Sequence, residues 1–218
     1  GPAIARAATG IERYVERDEV DALTRQIAAL ERVDPAQVVI GEVLEPLGLY
    51  LARQRPGGEI VYSAPGYTAL IDSAAPLGGR GVAVPLDARL ENDLPALARA
   101  ITGTTLPVSL VNPHNQSGTA NETEALHRFI AESARQTLVV VDEAYLEYDA
   151  FDQKSAITHV RAGRNVLVFR TLAKIYGLAG LAIGYAIAPL ELAKGLRGAG
   201  IGAPHSLTRP ALAAAAVA

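Results

Sequence analysis

Three of the 20 basic side chains in this 218-residue sequence are lysines: Lys154, Lys174 and Lys194. A lysine amine can form an imine with a carbonyl compound, so such chemistry has three candidates here. Lys174 stands between two apolar runs, 166–170 and 183–188, with Gly177, Gly180 and Gly184 nearby. Desolvation in such a place lowers a lysine pKa and yields a nucleophilic amine. The alternative is a lysine at a strand end whose ammonium reaches water, and the stretch alone leaves the two readings level. Lys154 and Lys194 lie in polar, helical or loop surroundings and read as solvated. Asp142 closes the apolar run 138–141. An acid there either caps a helix or serves a site, and Tyr145 could reach the same ligand. The loop NPHNQSGT over 112–119 is rich in turn residues and amides. A structural turn is its simplest reading, although Asn115 could donate to a ligand oxygen. Tyr67, after Pro65-Gly66, is either a stacking aromatic or a surface tyrosine.

Other chemistries find less support. The sequence has no cysteine, so thiol catalysis is excluded. Its four histidines (His114, His127, His159, His205) lack metal-ligand spacing, and no metal is expected. The GAGIG run over 198–202 has no preceding strand, a phosphate-binding G-x-x-x-x-G-K-[ST] loop is absent, and Ser63 and Ser117 lack a nucleophile-elbow context. A net charge of −3 with interspersed signs leaves no footprint for nucleic acid. No apolar run reaches membrane-spanning length, and no signal-peptide pattern opens the sequence. The expected compartment is the cytoplasm, with an exported, processed form as the alternative.

The elements that must position these residues follow from hydrophobic periodicity. Helical spacing predicts an amphipathic helix over 16–32, with further helices over 44–53, 68–75, 90–101, 122–135 and 155–162. Short apolar runs predict strands over 38–41, 59–63, 81–86, 107–111, 138–141, 166–170 and 183–188. The apolar run 211–218 reads as the start of a further helix. Continuous Val/Ile/Leu strands between amphipathic helices indicate an α/β fold, a three-layer sandwich with a mainly parallel central sheet. Ligands bind such sheets beyond the carboxyl ends of the strands, which is where Tyr67, Asn115, Asp142 and Lys174 fall.

With these residues in this order, and VVDEAY over 140–145 and FRTLAKIYGLAGLAIGY over 169–185 as the most specific parts, the sequence resembles the fold-type I aminotransferases that use pyridoxal 5′-phosphate. The histidinol-phosphate aminotransferase branch is the nearest in kind. The resemblance implies that Lys174 forms the Schiff base with the cofactor and shuttles a proton. It implies that Asp142 binds the pyridine nitrogen, Asn115 and Tyr145 the phenolic oxygen, and that Tyr67 stacks on the ring. Thr171 would give its hydroxyl to the phosphate, and Tyr14 would reach the phosphate in a partner subunit, implying a homodimer. The substrates would be an amino acid and a 2-oxo acid, with histidinol phosphate or an aromatic amino acid as first guesses for the donor. The division expected is an N-terminal segment, 1–30, serving dimer and site, and a cofactor-binding large domain, 31–218. The family's small C-terminal domain has no counterpart in these residues. The departures gather at the phosphate: Ala173 replaces a serine, Ala182 an arginine, and Gly41 to Glu45 replace a Gly-x-Gly-Ser turn. In the asparagine loop Gln116 replaces a proline. Two alternatives remain, a decarboxylase or C–S lyase with the same cofactor and a degenerate binding protein without turnover.

Overall fold

A computed structural model describes residues 1–149 and 151–218. In chain order the elements are α1 (Pro2–Ala7), α2 (Arg17–Glu31), β1 (Val38–Ile40), α3 (Leu44–Gln54), β2 (Glu59–Ala64), α4 (Ala69–Ala74), β3 (Arg80–Pro85), α5 (Leu94–Ala100) and β4 (Thr105–Val111). They continue with α6 (Thr123–Ser133), β5 (Leu138–Asp142), α7 (Phe151–Lys154), α8 (Ile157–Arg161), β6 (Val166–Thr171), β7 (Gly184–Ile187), α9 (Leu190–Gly198) and α10 (Arg209–Ala215). The fold is α/β, and among the described residues seven strands form one mostly parallel sheet, as the apolar runs imply. Contacts divide the chain into two compact units, Leu44–Phe169 and Gly1–Val43 with Arg170–Ala218.

In the first of these units β2 lies between β3 and β4, and β5 between β4 and β6, all parallel. The register sets Val61 against Val82 on one side and Val108 on the other. Every residue of β5 is buried, whereas edge strand β3 is largely exposed. This is why only the inner strands read as unbroken apolar runs. Helices α3 and α4 pack closely at Gly48, where a Cβ would lie 2.1 Å from the Leu70 carbonyl oxygen. The helix expected over 90–101 begins only at Leu94. Leu90 takes a left-handed φ of 61°, and the Asp93 carboxylate caps the Ala96 N–H at 2.9 Å, so a local cap overrides the apolar spacing. Helices α1, α7 and α9 were not signalled by the spacing.

Two histidines of this unit form a neutral pair. Arg164 approaches His159 Nδ1 at 2.5 Å, and His159 Nε2 lies 2.8 Å from His127 Nδ1. Since arginine only donates, His159 Nδ1 must accept and its Nε2–H must donate to His127. His127 then donates through Nε2 to the Gln153 carbonyl at 2.9 Å. Burial, followed by the charges of His127 and Arg164, lowers the His159 pKa from 6.5 to about 4.

The other unit is built around α2, whose Val20, Leu23, Ile27 and Ala28 are buried. A capping box starts the helix, with the Glu16 N–H donating to Glu19 at 2.7 Å. Its last residue, Glu31, is 3% exposed and pairs with Arg170, which is 2% exposed at the end of β6. The Tyr185 hydroxyl of β7 donates to the same carboxylate oxygen at 2.9 Å. Burial, more than the neighbouring charges, pushes the Tyr185 pKa up and keeps it a donor. Strand β1 pairs antiparallel with β7, Val39 opposite Ala186.

Two stability measurements follow from these contacts. Glu31→Leu removes the buried carboxylate that Arg170 pairs with and lowers unfolding free energy by about 3–5 kcal/mol in urea titrations, while adding Arg170→Met restores most of the loss. The folded His159 ring resists protonation more than the unfolded one, so its contribution is complete above pH 6.5 and disappears as pH falls toward about 4. The loss between pH 7 and 4 is on the order of 2 kcal/mol. It is read as the difference between the parent and His159→Gln, which lacks that acid-dependent part.

Candidate active site

Tyr67, Asn115, Asp142 and Tyr145 follow the carboxyl ends of β2, β4 and β5 in the unit Leu44–Phe169. Asp142 is the last residue of β5 and 5% exposed, and its Oδ1 accepts the Ala144 N–H at 3.0 Å. The adjacent acid has a different task. Glu143, 1% exposed, accepts the Ala156 N–H at 2.6 Å and the Ser155 hydroxyl at 3.1 Å, satisfying donors at the start of α8. Asn115 and Tyr145 line one cavity of about 440 Å³, together with His114, Tyr148 and Asp149. Asn115 is exposed, Tyr145 half-buried, and Tyr67 is 51% exposed.

The loop that presents Asn115 is closed on itself. The Asn121 N–H donates to Asn112 Oδ1 at 3.0 Å, and the His114 N–H to the Thr119 carbonyl at 2.8 Å. The Asn112 N–H is bound to the Asp142 carbonyl at 3.0 Å, which ties the loop to β5. Asn92 Nδ2 donates to Asn121 Oδ1 at 2.8 Å, and Asn121 Nδ2 returns a bond to the Asn92 carbonyl at 2.9 Å. His114 Nδ1 lies 3.0 Å from the Ser117 hydroxyl, and burial lowers the His114 pKa. Neither this amide network nor His114 was singled out from the sequence as a support of Asn115. The four buried side-chain atoms without a hydrogen-bond partner among the described residues are Ser63 Oγ, Asn92 Oδ1, Asn112 Nδ2 and His114 Nε2. Three of these belong to residues near the end of β2 or just after β4: Ser63, Asn112 and His114.

Tyr14, Thr171 and Lys174 belong to the other unit. Thr171 closes β6 and is 6% exposed, while Lys174 is exposed. Of the two readings the sequence left level for Lys174, its exposure agrees with the one in which the ammonium reaches water. The chain leaves β6 in a turn closed by the Gly177 N–H on the Lys174 carbonyl at 3.0 Å, with Gly177 at φ 66°. That turn, rather than either flanking strand, sets the lysine's surroundings. Lys154 is corrected, for it is not simply solvated but paired with Asp149 at 2.6 Å. Tyr14 is 85% exposed, yet its backbone is held by Arg209. That guanidinium donates to the Tyr14 carbonyl at 2.9 Å, the Gly10 carbonyl at 2.7 Å and Glu19 at 2.9 Å. Glu42, noted in the sequence only as part of a turn lacking donors, accepts the Thr171 hydroxyl at 3.3 Å. Among the described residues no group of three or more His, Asp or Glu is placed to hold a metal ion, and no helix is long and apolar enough to cross a membrane.

The family model for class I and II aminotransferases matches residues 2–218, and the chain belongs to that family. It is 38% identical over 178 residues to the histidinol-phosphate aminotransferase of Moorella thermoacetica, covering 80% of this chain and 46% of that protein. It is 43% identical over 137 residues to the aromatic amino acid aminotransferase of Nocardia farcinica, covering 62% and 38%. Among solved structures, histidinol-phosphate aminotransferase from Sinorhizobium meliloti in complex with pyridoxal-5′-phosphate superposes with a TM-score of 0.85 at 31% identity, covering 98% of this chain and 58% of that one. A likeness of fold alone, at 18% identity and a TM-score of 0.81, links it to L-threonine-O-3-phosphate decarboxylase from Porphyromonas gingivalis, with coverages of 98% and 62%. The chain spans about half the length of the curated relatives it matches.

The closed loop yields a direct test. Asn112→Ala removes the acceptor of the buried Asn121 N–H and lowers unfolding stability by about 1–3 kcal/mol, measured by chemical denaturation.

Proposed function

We propose that this chain is the cofactor-binding part of a pyridoxal-phosphate-dependent aminotransferase acting in the cytoplasm as a homodimer. The observation that carries the reading is the placement of Asp142, buried at the end of β5, in the unit where Asn115 and Tyr145 line one cavity. Bound pyridoxal phosphate would supply a protonated pyridine ring that draws electrons from a substrate carbon. The ring-facing residues suit that group: an acid for the nitrogen, an amide and a phenol for the ring oxygen, and Tyr67 for the ring face. Asp142 holds the proton on the pyridine nitrogen. Asn115 donates its amide to the ring oxygen, and Tyr145 donates its hydroxyl there. Lys174 Nζ would hold the cofactor and would move the proton at the substrate α-carbon. Thr171 and, from the partner subunit's copy of the N-terminal segment, Tyr14 serve the phosphate.

The amino donor is assigned by kinship with the histidinol-phosphate and aromatic amino acid enzymes. Histidinol phosphate and an aromatic amino acid are therefore the donors to test, with a 2-oxo acid as acceptor. The purified protein should show a visible absorption band on adding pyridoxal phosphate, and Lys174→Ala should abolish it; a band unchanged in that variant sinks the reading. Asp142→Asn should slow amino transfer by about ten- to a hundredfold, the scale of one charge-assisted hydrogen bond. Release of CO₂ in place of 2-oxo-acid-dependent transfer would mark a decarboxylase instead.

A further inference from the structure

Gly41 leaves β1 at φ 125°, a conformation that side chains rarely permit, and its N–H binds the Gly184 carbonyl at 2.8 Å. The next residue, Glu42, thereby comes to the end of β6. Thr171 Oγ1 lies 3.3 Å from Glu42 Oε1 and donates to it, while the Ala173 N–H donates to the same hydroxyl oxygen at 3.1 Å. A hydroxyl has a single proton to give, and here the chain's own carboxylate takes it. Ala173 and Ala182 offer no side-chain donor in its place. Glu42 as a whole is exposed, but its carboxylate end is tucked against Thr171. That partial burial pushes its pKa up, against the opposing effects of the Thr171 hydrogen bond and the Lys174 charge.

An anionic ligand group at Thr171 would meet both a donor already engaged and a like charge, and both effects weaken binding. Resting on the aminotransferase reading, in which Thr171 serves the cofactor phosphate, we propose that Glu42 is a specificity-determining residue. It competes with that phosphate for the Thr171 hydroxyl and narrows the preference for phosphorylated over unphosphorylated pyridoxal. The carboxylate is thus a built-in rival of the phosphate.

The test is an equilibrium titration of the purified protein and its Glu42→Gln variant with pyridoxal phosphate and, separately, with pyridoxal, following the Lys174-dependent visible band. Glutamine keeps the size of the side chain and removes its charge. The expected outcome is a gain of about tenfold or more in pyridoxal phosphate affinity, with pyridoxal affinity held within about twofold. On a Thr171→Val background the charge substitution should gain much less, because the contested donor is gone. Equal pyridoxal phosphate affinity in parent and Glu42→Gln, matched thermal midpoints showing both folded, overturns the inference. So does an equal gain for the two ligands. A band absent with both ligands in the parent, or unchanged in Lys174→Ala, overturns the aminotransferase reading and the inference with it.

Discussion

The buried contact of Arg170 with Glu31 and Tyr185 is the constraint around which its unit is organised. Removing a guanidinium and a carboxylate from water costs several kcal/mol per ion, and only good geometry with further hydrogen bonds offsets it. Here the carboxylate oxygen receives both the arginine and the tyrosine hydroxyl. Few other placements of α2 and of the ends of β6 and β7 would satisfy these groups, so the contact holds those elements in register. Successive strand residues point to opposite faces. With Arg170 committed to one face, Thr171 is delivered to the other, where it meets Glu42. Three residues later the chain reaches Lys174, already outside the strand and exposed.

Much of the scaffold was legible because its signals are local. Buried inner strands appear as unbroken apolar runs, α2 shows its stripe, and Asp142 stands where such a run ends. What escaped the sequence depends on partners far along the chain or on single torsions. Glu31 lies 139 residues from Arg170, and Glu42 lies 129 from Thr171. No spacing rule reaches across such intervals. Asp142 and Glu143 look alike as neighbours, but Glu143 is taken up by the first donors of α8. Apolar Leu90 mimics a helix position while its backbone is left-handed. The two readings of Lys174 stayed level because flanking hydrophobicity describes the strands, whereas the turn closed by the Gly177 N–H lies outside them.

The two ends of the proposed ligand meet chemistry of different quality. Side chains suited to an aromatic nitrogen and a phenolic oxygen stand at the strand ends of one unit. At Thr171 the chain supplies its own acid and two alanines. A shared fold does not decide the reaction, and the likeness to a decarboxylase at 18% identity shows fold alone. The distinction lies in individual side chains such as these.

The loop from Asn112 to Asn121 has a consequence for the cost of binding. Its ends are joined by the Asn121–Asn112 bond, its middle by the His114–Thr119 bond, and its start is tied to β5. Ordering a free loop costs roughly 1–2 kcal/mol of backbone entropy for each residue fixed. In this loop that cost falls on folding rather than on ligand capture. A ligand bound at Asn115 as proposed would meet a preorganised surface, so little of its interaction energy would be lost to ordering the loop.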